Sequence, residues 1–130
     1  MMTVTGTFEV KPGEESPIEE GDGIRLTHAT GTQRFSGGIV GDGAIDWLMC
    51  YQGAAGARYV GLQRITGTLD GRTGSFVMES LGSHDGTGSV ATWRIVDGTG
   101  TGDLAGIRGT GGFEAKGGTT VEYRLDYELG

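Results

Sequence analysis

Asp46, Gln63 and Ser80 have the best claim to chemistry in this chain. A carboxylate held among apolar side chains loses hydration, which raises its pKa and makes a general acid or base. Asp46 lies in the apolar stretch Ala44-Ile45-Asp46-Trp47-Leu48-Met49, so a strand that turned it inward would create that condition. Gln63 and Ser80 form an uncharged polar patch, and buried polar groups of this kind need partners. Tyr59, Phe76, Met78, Trp93 and Tyr123 complete the candidate ligand-binding set, as apolar surface for a small molecule.

Other chemistry finds little support. Cys50 is the single cysteine, so neither an intrachain disulfide nor a cysteine metal site can form. His28 and His84 carry no ligand spacing, no Ser-His-Asp arrangement is visible, and His84 reads as a solvated turn residue beside Asp85. Gly100-Thr101-Gly102-Asp103-Leu104-Ala105 matches the dinucleotide fingerprint by letter but lacks the strand–turn–helix context that gives the motif its meaning. Asp97 to Asp103 lacks the repeat that calcium-binding turns need. No metal and no cofactor is therefore expected. Ten basic residues against seventeen acidic give a net charge of −7, which disfavours nucleic acid and keeps a small protein soluble. No apolar run approaches the ~18 residues of a membrane span, and the first residues carry no basic-then-apolar leader. A cytoplasmic protein is the expectation.

The elements that must position these residues are strands. The chain has 130 residues, expected to form one domain, and 28 of them are glycine. That is far above the usual ~7%. No segment keeps a helical period. Thr3 to Val10 alternates cleanly, and Lys11 to Gly23, with both prolines and four glutamates, reads as part of an exposed acidic loop over 11–24. Further strands are expected over Arg25–Ser36, Ile39–Gln52, Ala57–Leu69, Arg72–Gly82, Thr87–Val96, Ile107–Ala115 and Thr119–Leu129, with a short helical turn at Asp103-Leu104-Ala105. Consecutive hairpins with amphipathic strands at both ends predict a closed, eight-stranded, antiparallel up-and-down barrel, all-β in class.

Asp70-Gly71 is a strong hairpin signal, and a two-residue turn there fixes a register. Leu69 then faces Arg72, Ile65 faces Phe76, Gln63 faces Met78 and Gly61 faces Ser80. The face holding Tyr59, Gln63, Ile65, Phe76 and Met78 is apolar and belongs inside; Arg64, Thr66, Thr68, Thr73, Ser75 and Glu79 lie outside. Small residues at Gly61, Gly67, Gly74, Ser80 and Ala91 are expected to leave a cavity. The third strand has two readings. A four-residue Gly53–Gly56 loop turns Asp46, Leu48 and Cys50 inward; three or five residues turn Trp47, Met49 and Tyr51 inward, with His28 joining them.

Several segments carry a resemblance: Thr5-Gly6-Thr7-Phe8-Glu9-Val10, Asp46-Trp47-Leu48-Met49, Val60 to Leu69, Gly71 to Val77 and Gly100 to Gly109. Together they resemble an uncharacterised bacterial domain-of-unknown-function family with the barrel of plant allene oxide cyclase and dirigent proteins. The resemblance implies that barrel, and an interior in which cofactor-free cyclases and isomerases of the wider group fold their substrates. Members of the family often carry Glu where this chain has Gln63 and His where it has Ser80, so proton transfer by that pair is lost here. The leading expectation is a binding barrel for an apolar small molecule. The alternative is a cyclase or isomerase using cavity shape and Asp46, and a homo-oligomer built through the outer face is a further one.

Overall fold

The computed structural model describes residues 1–53, 56–115 and 120–130. Eight antiparallel strands follow one another round a ring: β1 (Met2–Gly21), β2 (Ile24–Gly37), β3 (Ile39–Tyr51), β4 (Ala57–Leu69), β5 (Arg72–His84), β6 (Ser89–Ile95), β7 (Ile107–Ala115) and β8 (Thr120–Leu129). The ring closes where Met2–Glu9 pairs with Tyr127–Thr120, so the first and last strands meet as expected. Asp70 (φ 50) and Gly71 (φ 80) form the anticipated tight turn, and the register follows it, with Ile65 opposite Phe76 and Gln63 opposite Met78. The beginning expected for β8 at Thr119, like Ala54 and Ala55 of the β3–β4 connection, lies outside the described residues.

The acidic segment is a correction. Instead of a loop over 11–24, β1 continues to Gly21 and pairs with β2 out to a second Asp-Gly turn, Asp22 (φ 54) and Gly23 (φ 78). Burial could not reveal this strand, because β8 pairs β1 only as far as Glu9 and the extension is solvated throughout. Its hydrogen bonds come from β2. The prolines sit at the two register shifts, Pro12/Glu15 and Pro17/Glu19, where a missing N–H costs the ladder least.

One end of the ring is filled. Phe8, Phe35, Trp93, Phe113 and Tyr123 form a connected set of rings, with Phe8 and Phe35 stacked at 5.1 Å and Phe8 and Phe113 edge-on at 5.4 Å. Below them Ile39, Leu69, Phe76, Met78, Leu104 and Leu125 are fully buried, at about 1.5–3 kcal/mol for each such side chain. The glycine-rich crossing between β6 and β7 packs along β5 as added main chain: Thr101 N–H donates to Ser75 O at 2.9 Å, and Val77 N–H donates to Thr99 Oγ1 at 3.0 Å. A Cβ on Gly74 would lie 2.1 Å from Thr101 O, so this approach requires glycine. The crossing's helical turn is a single 3₁₀ turn, Gly102–Leu104, whose Leu104 stoppers the ring. No helix among the described residues is long and apolar enough to cross a membrane.

Candidate functional site

The other end is open. A pocket of about 500 Å³ enters the ring there, with Phe8 and Phe113 of the ring cluster among its lining. Its walls come from β2 to β5, including Ala29, Gln33, Ile45, Trp47, Met49, Tyr59, Gln63 and Ser80, and its rim from Glu14, Glu15, His84 and Ser89. Of the sequence-derived ligand set, Tyr59, Gln63 and Ser80 line this pocket. Phe76, Met78, Trp93 and Tyr123 belong instead to the packed half. Tyr123 has no free hydroxyl, since it accepts from Ile39 N–H at 2.9 Å and donates to Ser36 O at 3.0 Å.

The inward placement of Asp46 is overturned. Tyr51 pairs with Ala57, so the connection spans residues 52–56 and the parity of β3 turns Trp47, Met49 and Tyr51 inward. Asp46 projects outside, its side chain 70% exposed, and meets His28 Nε2 at 3.2 Å. His28 stands on the same outer surface, so it does not join the interior either; an exposed pair of this kind contributes under about 1 kcal/mol. The expected source of space is also corrected. A Cβ on Gly61 would lie 2.7 Å from Asp46 O and 3.0 Å from Trp47 Cδ1, and one on Gly31 would lie 3.0 Å from Trp47 Cη2. The indole of Trp47 therefore occupies the room beside Gly31 and Gly61, and the backbone oxygens of Val40 and Thr101 occupy that beside Gly67 and Gly74.

Gln63 dominates the polar character of the pocket. It is 1% exposed, and neither Oε1 nor Nε2 has a hydrogen-bond partner among the described residues. Gln33, 5% exposed, has its Oε1 in the same condition. Each buried polar atom left so costs about 1–3 kcal/mol. Gln33 pairs with Gly43 and Gln63 with Ile45, two positions apart on the intervening β3, which brings both carboxamides to one inner face. The sequence reading missed Gln33, although its alternation with Phe35 on one strand face was the signal available.

A second polar cluster stands at the rim. Glu15 Oε2 accepts from Thr27 Oγ1 at 2.7 Å and from the Tyr51 hydroxyl at 2.7 Å. These bonds hold the Glu15 carboxyl below its ordinary pKa, with help from Arg25 and His84. Burial and then the Glu15 carboxylate push the Tyr51 hydroxyl up. Arg25 lies 5.5 Å over the Tyr51 ring, and the His84 ring meets it edge-on at 6.3 Å. His84 is thus the last residue of β5 and part of the rim, where a solvated turn was expected. Among the described residues, no three His, Cys, Asp or Glu side chains are placed to hold a metal ion.

Fold and site together define an all-β ring, packed at one end and open to an apolar pocket at the other. The family model of a protein of unknown function (DUF3224) matches residues 4–127, and the chain belongs to that family. A crystal structure of a DUF3224-family protein of unknown function from Shewanella oneidensis MR-1 is similar to it. The two chains are 26% identical, the TM-score is 0.84, and the match covers 100% of this chain and 98% of the other. No curated protein matches the chain.

Proposed function

We propose that this protein binds an apolar small molecule inside the ring, in the pocket at its open end. The observation that carries the reading is the half-filled interior: a pocket of about 500 Å³ above a ring cluster, walled by Ile45, Trp47, Met49 and Tyr59. Concave, mostly apolar recesses with a few convergent polar groups are where small ligands bind, and this volume suits a molecule of two or three fused rings. The alternative of a cofactor-free cyclase or isomerase loses its interior acid with Asp46 outside. The kinship with allene oxide cyclase and dirigent barrels rests on the sequence segments that suggested it.

The test is titration with N-phenylnaphthylamine, a neutral dye that brightens in apolar surroundings. Wild type should bind it at a single saturable site. Ala29→Phe, which drives a ring into the pocket from β2, should abolish binding while the far-ultraviolet spectrum is retained. Asp46→Asn should bind as wild type does. Absence of saturable binding, or equal binding by Ala29→Phe, would overturn the reading.

A further inference from the structure

We infer that the pocket reads a neutral planar amide edge: its ligand is an apolar molecule carrying a lactam or similar cis-amide that pairs with the Gln63 side chain. The inference rests on the pocket-binding reading above and adds ligand chemistry to it.

Gln63 presents a donor and an acceptor side by side in one plane, 1% exposed and facing the pocket, both without a partner among the described residues. Exchanging the amide oxygen and nitrogen changes nothing, because both atoms need a partner. A ketone or an ether satisfies one of them. A cis-amide satisfies both at once, its C=O accepting from Nε2 and its N–H donating to Oε1. A carboxylic acid has the same edge only while protonated. Near neutral pH it is an anion, and among the described residues lining the pocket there is no lysine or arginine to meet it: Glu14, Glu15 and His84 stand at the rim, and Tyr59 in the wall is a phenol that burial keeps neutral. The net charge of −7 disfavours anions further. Gln33 on β2, with β3 between it and Gln63, supplies a second unpartnered acceptor on the same inner face, ready for another N–H on the ligand. Sites built to hydrogen-bond a ligand discriminate steeply against analogues lacking the group, because their own polar atoms are then left unpaired.

The test compares phenanthridinone with phenanthrene, a lactam and a hydrocarbon of nearly the same shape, as competitors of N-phenylnaphthylamine. Wild type should prefer phenanthridinone by at least ~10-fold, and Gln63→Met should remove the preference by weakening the lactam alone. Gln63→Met keeps the side-chain volume and deletes two unpaired atoms, so its melting temperature should not fall. A second readout needs no variant: the Gln63 side-chain amide resonances should shift with phenanthridinone and not with phenanthrene. Equal affinity of the two competitors, or a preference that survives Gln63→Met, would overturn the inference and leave the pocket reading standing. Failure of the dye and both competitors to bind would remove the pocket reading, and the inference with it.

Discussion

Tyr51, at the end of β3, donates its hydroxyl to the Glu15 carboxylate of β1 across the end of β2. Thr27, on the strand between them and fully buried, donates to the same oxygen. The exposed extension of β1 has no β8 alongside it, so beyond its ladder with β2 this bond links it to β3.

Tyr51→Phe should therefore cost about 1 kcal/mol near neutral pH, the usual net worth of such a bond at a partly exposed site. The penalty has a pH signature. Glu15 is held below its ordinary pKa of 4.5 in the folded protein, so its contribution is complete above 4.5 and disappears as pH falls through the lower folded value. Stability curves of wild type and Tyr51→Phe should converge on the acid side of that range. Denaturant midpoints measured at stepped pH would test this; a gap that stays constant into strong acid would mean that Glu15 is not the partner that matters.

Gly61→Ala tests the seating of Trp47. The new methyl would meet Asp46 O at 2.7 Å and the indole at 3.0 Å, and strand backbone yields little. A loss of about 1–3 kcal/mol is expected, together with an altered tryptophan emission as the ring is displaced into the pocket. Unchanged emission with unchanged stability would contradict the close fit of the indole against Gly61.

The tyrosines predict behaviour in alkali. All four are shifted upward: Tyr51, Tyr59, Tyr123 and Tyr127, first through burial in each case, with Tyr127 pushed up to about 12 where it donates to Asp70. A raised folded pKa gives stability that is full below the ordinary tyrosine value near 10 and is lost as pH rises through the folded one. Phenolate absorbance should accordingly lag the free amino acid and rise together with loss of the far-ultraviolet signal. A normal titration near pH 10 in protein that remains folded would refute the placement of these hydroxyls.

Local rules carried much of this structure. Alternation marked the strands, and Asp70-Gly71 alone set the β4–β5 register, because a two-residue turn fixes partners and partners fix faces. That is why Tyr59, Gln63 and Ser80 could be assigned to the interior from sequence. The face of Asp46 could not be, since it depends on whether the β3–β4 connection has an odd or even number of residues, and glycine-rich sequence does not say which. Glu15 was hidden for a different reason: a strand solvated on both faces leaves no pattern of burial, and only pairing with β2 reveals it. The division of the interior into a packed half and an open half belongs to the tertiary structure. It depends on which rings meet across the closed sheet and on Trp47 filling the space beside its glycines, and these are distances between residues far apart in the chain.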